Sequence, residues 1–322
     1  MTAQALGRPH EVRRRLASIG SNGTVVWLVC LLLAIFLAVR NPGVFLGQEN
    51  IANLLSQTVV LALVAMGEML VILTGGIDLS VGSMATLTAV LTAGLIDGYP
   101  IRVTPVLIGV LLIGVLTGVF HGFLVTRARM VPFVVTISTF YLLEGIAYAY
   151  SSTPVGAIPD DLARFAVLNV GPIPVIFIIV LVIALALAWG LSRTRLGRHI
   201  YATGGDPAIA RSAGINVTRV TITCYAICSA LAALAGFMLA SKATVGTPSA
   251  GTGLELSAIT AVVLGGTSMF GGRGKIVGVA GGVLLLALVE NTFTLLHVSS
   301  FYQDLVRGAV IVAAVAVFTR KD

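Results

Sequence analysis

The chain has 322 residues, of which 57% are hydrophobic and only 10% charged, and its mean hydropathy is +1.02. Soluble domains carry about a quarter charged residues, so this composition excludes an ordinary soluble protein and specifies a chain built for lipid. The net charge of +7 is not a nucleic-acid footprint, because no basic run is interleaved with aromatic residues on which bases could stack.

Residues 1–23 are polar and basic, like the leading region of a signal peptide. The apolar stretch that follows runs into Arg40, Asn41 and Pro42 without a small-residue cleavage site, so it reads as a retained anchor behind a cytoplasmic tail. At roughly 20 apolar residues per crossing, the sequence predicts an all-α, polytopic membrane protein with about ten transmembrane helices. These fall at 24–39, 56–73, 81–96, 104–125, 131–150, 173–191, 217–240, 254–264, 276–289 and 305–318. The eighth is the weakest signal, in a Gly-rich region where the count can slip by one. The membrane domain is thus 24–319, interrupted by a connection at 192–216 and followed by a tail at 320–322.

Orientation follows from the basic residues, which are retained in cytoplasmic loops. With an inside amino terminus and ten spans, the inside segments hold Arg8, Arg13, Arg14 and Arg15, then Arg127 and Arg129, then Arg193, Arg195, Arg198, Arg211 and Arg219, then Arg273 and Lys275, and finally Arg320 and Lys321. Only Arg40, Arg102, Arg164, Lys242 and Arg307 fall outside or at outer span ends. This asymmetry puts both termini in the cytoplasm, so the positive charge is topology.

The stretch from Leu73 to Ser83, Leu-Thr-Gly-Gly-Ile-Asp-Leu-Ser-Val-Gly-Ser, interrupts the apolar pattern with a Gly-Gly break and a carboxylate. Thr74, Asp78, Ser80 and Ser83 are costly against lipid, so they face protein, a water-filled path or the membrane surface. Gly114, Gly118 and Gly122 in the fourth span, and Gly274, Gly278 and Gly282 around the ninth, recur every fourth position. Each set forms a flat ridge for close helix packing. The outer segment 151–172 carries Asp160, Asp161 and several prolines, and is either a solvated loop or a contact surface for a partner.

Enzyme chemistry is not written here. In Gly271-Gly-Arg-Gly-Lys275 the position five before Gly274 is Met269 and no Ser or Thr follows Lys275, so this is no phosphate loop. Zinc-protease, nucleophile-elbow and paired acidic motifs are missing from the sequence. His10, His121, His199 and His297 are scattered among a tail, helix ends and loops, and read as ordinary polar residues. Cys30, Cys224 and Cys228 lie in apolar spans with nothing nearby in sequence to complete a metal set, and read as structural.

Within the connection at 192–216, Asp206 suits an N-cap, Pro207 the first helical turn and Gly214 the left-handed stop after Ala213. A helix of about two turns is marginal alone in water, so it rests on the rest of the chain, on lipid headgroups or on a separate protein. Polar residues in otherwise apolar spans, Gln57, Glu68, Asp78, Ser83, Thr136, Ser138 and Glu144, are candidates to line a translocation path. Intramembrane ionisable residues are functional by default. Glu68 and Glu144 could equally be neutral, or serve as hydrogen-bonding groups between helices.

Three motifs in order carry a resemblance: Leu73 to Ser83, the run from Gly197 to Ile215 (Gly-Arg-His-Ile-Tyr-Ala-Thr-Gly-Gly-Asp-Pro-Ala-Ile-Ala-Arg-Ser-Ala-Gly-Ile), and Val263 to Gly274 (Val-Leu-Gly-Gly-Thr-Ser-Met-Phe-Gly-Gly-Arg-Gly). From about Asn50 onward the chain resembles the permease subunits of ribose, xylose and arabinose-type ABC importers. The resemblance implies a multi-pass bacterial inner-membrane permease that dimerises with a second permease copy, identical or homologous. It also implies sugar delivery from a periplasmic or extracellular sugar-binding protein, and an ABC ATPase subunit as partner. The family's coupling segment corresponds to Gly205, Asp206, Pro207, Ala210, Arg211 and Gly214. Members often have Asn where Asp206 stands, and both residues cap helices. ATP and magnesium are expected on the ATPase, with no cofactor, metal or catalytic residue on this chain. The rival reading is a secondary transporter in which Glu68, Glu144 or Asp78 carries a coupling proton or sodium ion. A membrane scaffold that moves nothing fits poorly with polar residues in the second and fifth spans.

Overall fold

A computed structural model describes residues 22–296 and residue 308. The tenth span (305–318) apart from Gly308, residues 1–21 with Arg8, His10, Arg13, Arg14 and Arg15, and His297, Arg307, Arg320 and Lys321 lie outside the described residues. The order is α1 (Asn22–Arg40), α2 (Pro42–Phe45), α3 (Gln48–Leu73), α4 (Val81–Ile96), a 3₁₀ turn (Pro100–Arg102), α5 (Val103–Thr126), α6 (Pro132–Tyr150), α7 (Asp160–Val167), a minimal hairpin of β1 (Asn169–Val170) and β2 (Ile173–Pro174), α8 (Val175–Arg193), α9 (Arg195–Gly205), α10 (Pro207–Ser212), α11 (Val217–Ala243), α12 (Leu254–Leu264) and α13 (Ile276–Leu295).

Among the described residues seven helices, α1, α3, α5, α6, α8, α11 and α13, are long and apolar enough to cross a membrane; α4 and α12 are shorter apolar helices. The expected all-α polytopic fold is therefore what the chain forms. Two differences concern polar helices. The connection 192–216 is helical for most of its length, because Thr194 caps α9 by accepting the Gly197 N–H at 3.1 Å. The outer segment 151–172 contains α7, which starts behind Pro159 with Asp160 and Asp161 in its first turn, where carboxylates suit the helix dipole.

α11 is the central helix and packs against α5, α4 and α3; α13 packs on α1, α12 and α3. The glycine ridge on α5 makes the α5–α11 contact: a Cβ on Gly114 would meet the Ser229 carbonyl at 2.7 Å, one on Gly118 would collide with the Tyr225 carbonyl, and one on Gly122 would sit 2.5 Å from Ile222 Cα. In lipid no hydrophobic drive pulls helices together, so backbone approach of this kind supplies the dispersion contact. On α13, Gly278 fits against the Gly265 carbonyl and Gly282 against that of Ala261.

α12 is short for a physical reason. After α11 the chain turns through Thr244, whose φ is +62°, and bridges antiparallel to the outer loop through Val155 and Gly246. It then descends along α4: Gly246 lies 2.7 Å, measured to an added Cβ, from Val90 Cα, and the Gly251 N–H donates to Thr86 Oγ1 at 2.9 Å, beside Gly82. Because α4 runs outward from Val81, Gly82 lies deep. Residues 244–253 thus carry irregular backbone down the side of α4, with Gly246, Pro248 and Gly251 buried against protein and Thr244, Ser249 and Thr252 exposed, and α12 completes the crossing.

The ridge yields a test. Gly118→Val should lower the melting temperature of the detergent-solubilised chain, since forced overpacking typically costs about 1–3 kcal/mol. Gly109→Val, on the same helix with nothing within 4 Å of its added Cβ, should leave it unchanged. Equal melting by the two variants would refute the close α5–α11 contact.

Candidate coupling and translocation site

The three motifs meet at one place on the inner side. α3 stops at Leu73, and a helix end leaves carbonyls unpaired. Here Val71 O accepts the N–H groups of Thr74 (3.0 Å) and Gly76 (3.1 Å) and the Thr74 hydroxyl (2.9 Å), while Ile72 O accepts Gly75 N–H at 2.9 Å. Gly75 supplies the left-handed turn, at φ +82°. The Leu73 carbonyl accepts the Gly272 N–H at 3.0 Å, from the third motif. Gly204, from the second motif, lies against both: a Cβ there would collide with Leu73 O and the Gly272 nitrogen. Tyr201 adds a bond from its hydroxyl to Gly274 O at 2.9 Å, and burial pushes its phenol up, keeping it a donor.

On this junction sits the short helix. Asp206 accepts the N–H groups of Ala208 (2.7 Å) and Ile209 (3.0 Å), Pro207 opens the first turn, and Gly214 takes the left-handed stop at φ +81°. Ala210 is buried as the foot of the helix, whereas Gly205, Asp206, Pro207, Ile209, Arg211 and Gly214 are exposed. Ile209 is 68% exposed, an apolar side chain offered to the inner side.

Beyond the break the chain enters a buried polar cluster. Asp78 Oδ1 accepts the Ser80 N–H (2.9 Å) and hydroxyl (2.6 Å); the Asp78 N–H donates to Glu68 Oε1 (3.1 Å); and the Ser229 hydroxyl donates to Asp78 Oδ2 at 3.5 Å. His121 Nδ1 lies 3.4 Å from Asp78 Oδ2, in electrostatic contact but without hydrogen-bond alignment, and its ring stands edge-on to Tyr225. The Ile77 carbonyl accepts the hydroxyls of Thr136 (3.2 Å) and Tyr225 (3.5 Å). Glu68, Asp78 and His121 have no solvent exposure, and Glu68 Oε2 has no hydrogen-bond partner among the described residues. α3, α5, α6 and α11 are thereby tied to one loop.

The path candidates separate into two groups. Glu68, Asp78, Ser83 and Thr136 are buried inside the chain, while Gln57 and Ser138 are exposed and Glu144 half-exposed on its outer surface, in reach of Glu255 electrostatically. His121 was not among the expected site residues. Its signal was register: it stands seven residues after Gly114 and three after Gly118, on the packed glycine face. No group of three or more His, Cys, Asp or Glu able to hold a metal occurs among the described residues.

A junction of helix breaks on the inner side, surmounted by a short exposed helix and backed by buried ionisable groups, is the build of a transporter's membrane subunit. Residues 50–315 match the family described as branched-chain amino acid transport system / permease component, and the chain belongs to that family. It is 39% identical over 300 residues to the ribose import permease protein RbsC of Escherichia coli (strain K12), covering 92% of this chain and 93% of that one. It is also 40% identical over 302 residues to RbsC of Bacillus subtilis (strain 168), covering 92% of each, and 36% identical over 294 residues to the D-allose transport system permease protein AlsC of E. coli K12, covering 90% of this chain and 89% of that one. No solved structure matches it. It is a multi-pass permease of the bacterial inner membrane, a transport component of the kind that the three motifs implied.

Two substitutions test the site. Gly204→Ala should abolish uptake or lower the melting temperature, because its Cβ has no room at the junction, whereas Gly205→Ala, with nothing within 4 Å of its added Cβ, should be tolerated. Asp78→Ala should destabilise the folded chain by about 1–3 kcal/mol, the usual cost of leaving buried polar partners unanswered, measured by denaturant unfolding in detergent. Wild-type unfolding of Asp78→Ala would mean that the cluster contributes nothing.

Proposed function

We propose that the chain is the permease subunit of an ATP-driven, binding-protein-dependent importer of a sugar or sugar-like solute, working by alternating access. The observation that carries this is α10: its residues are specified for a capped helix, one small side chain anchors it, and Pro207, Ile209 and Arg211 are left exposed on the inner side. A helix this short persists only on a support, and its free face suits a groove on an ABC ATPase. ATP and magnesium act on that partner, and the permease performs no covalent chemistry. Nucleotide-driven closure of the ATPase moves α10, and the glycine junction passes the motion to the Thr74–Ser80 break and hence to α4, α5, α6 and α11. The solute, of the kind handled by the ribose and allose permeases it resembles, arrives on a binding protein outside and passes between this chain and a second permease copy. Gln57, Ser138 and Glu144, at the exposed surface, contact the path or the second copy; Glu68, Asp78, Ser83 and Thr136 hold the moving break behind it.

One observation favours a second reading. Glu68, Asp78 and His121 form a buried ionisable set of the sort that ion-coupled carriers use, in which case a proton or sodium gradient drives uptake without an ATPase. The two readings differ in energy source. Uptake in whole cells should survive an uncoupler as long as ATP is maintained, and should stop when ATP is depleted. Arg211→Glu should reduce uptake by about tenfold or more at normal membrane levels, as expected when a charged interface contact worth 2 kcal/mol or so is reversed. Loss of uptake with the ion gradient alone, together with full activity of Arg211→Glu, would establish the ion-coupled carrier instead.

A further inference from the structure

A cavity of about 650 Å³ opens on the inner side between the α5–α6 turn, the start of α11, α10 and the Thr74–Gly76 break. We infer that this cavity is a binding site for a phosphate-bearing anion from the cell interior, held by Arg127, Arg129 and Arg211.

Four features of its wall converge. The three arginines line it with no Asp or Glu among its lining residues, and none of the three is in an ion pair among the described residues. Two helices begin on it, α6 at Pro132 and the 27-residue α11 at Val217 and Thr218, so their positive dipole ends add to the arginine charge. Thr203, only 1% exposed, lines the same wall, and its hydroxyl has no hydrogen-bond partner among the described residues. Arg129 is held at φ +55°, a left-handed backbone that arginine seldom adopts and that is retained where surrounding structure or function requires it.

The volume lies within the range of small-molecule sites, and guanidinium groups match phosphate oxygens two at a time. A phosphate monoester on a small sugar and the headgroup of an anionic phospholipid share this chemistry. Either would bridge the α5–α6 turn and α11 to Arg211 on α10, and so pin the short helix against the break. Such a ligand would act as a brake on transport applied from inside. The cavity shares Pro207 and Arg211 with the face of α10 assigned above to an ATPase, but its test reads phosphate binding by this chain alone, so it stands or falls separately from the function proposed above.

The test is calorimetric titration of the full chain in nanodiscs of neutral phosphatidylcholine, with ribose 5-phosphate, inorganic phosphate and unphosphorylated ribose as probes. Saturable binding of ribose 5-phosphate and phosphate is expected, with none of ribose. Arg127→Gln should weaken it by about tenfold, the effect of losing one charged hydrogen bond. Arg129→Gly, which relieves the left-handed backbone and so keeps the chain folded, should do the same, and Thr203→Val should weaken it less. If phosphatidylglycerol placed in the nanodisc suppresses ribose 5-phosphate binding in the parent chain but does not bind the Arg127→Gln variant, the headgroup is the occupant and the phosphate site stands. Absence of saturable heat in neutral nanodiscs would overturn it. So would binding that survives both arginine substitutions, or substitutions that weaken only capture of an ATPase while phosphate binding is unchanged.

Discussion

A peptide carbonyl that loses its helical partner under packed protein must be answered by protein, because no water reaches it there. α3 ends at Leu73 with its carbonyls in that position, and the means by which they are satisfied organises the inner half of the molecule. Val71 and Ile72 are answered locally by the turn, but Leu73 is answered by Gly272, nearly 200 residues later in the chain. Gly204 must then lie flat across both. Three segments distant in sequence are therefore fixed at one point by a backbone requirement, and glycine is what allows them to approach. The exposed short helix takes its position from this point, and so does the loop that carries Asp78.

The same logic holds on the outer side with different chemistry. The backbone of residues 244–253 runs down the side of α4 without being helical, and it is covered by α4 through Gly246, Gly251 and Thr86. The chain thus has two irregular segments, both packed on α4, one before it and one beside it. Between them α5 and α11 are joined by glycine contacts that leave no side chains to slide. This combination of a stiff pair beside interrupted backbone is what rigid-body movement of a membrane bundle requires.

The apolar crossings were legible because the bilayer imposes their length. What escaped sequence reading were helical segments that owe their stability to partners. α3 begins at Gln48 rather than near Ser56, since its polar first turns are tied down by Asn50 and Asn291, which exchange hydrogen bonds at 2.8 and 3.4 Å. α9 and α7 are too polar to register as crossings and are set by Thr194 and by the Pro159–Asp160 start. At the site, the cap at Asp206 and the stop at Gly214 were readable, because caps are local. The contact between His121 and Asp78 was not, since it depends on how α5 is rotated against α11, and only the glycine register hints at that.

The pairing of α1 with α13 has a bearing on how the protein is made. Trp27 donates its indole N–H to the Val277 carbonyl, 250 residues ahead, and Cys30 lies beside Gly281 on the same seam. At synthesis rates of roughly 5–20 residues per second, the first crossing resides in the bilayer for about 12 to 50 s before its lifelong neighbour exists. During that interval the face it will later bury is open to lipid and to other nascent membrane chains. Completion of the bundle is thus an event of the last stage of insertion, and a chain truncated before α13 would leave its own beginning without a place to dock.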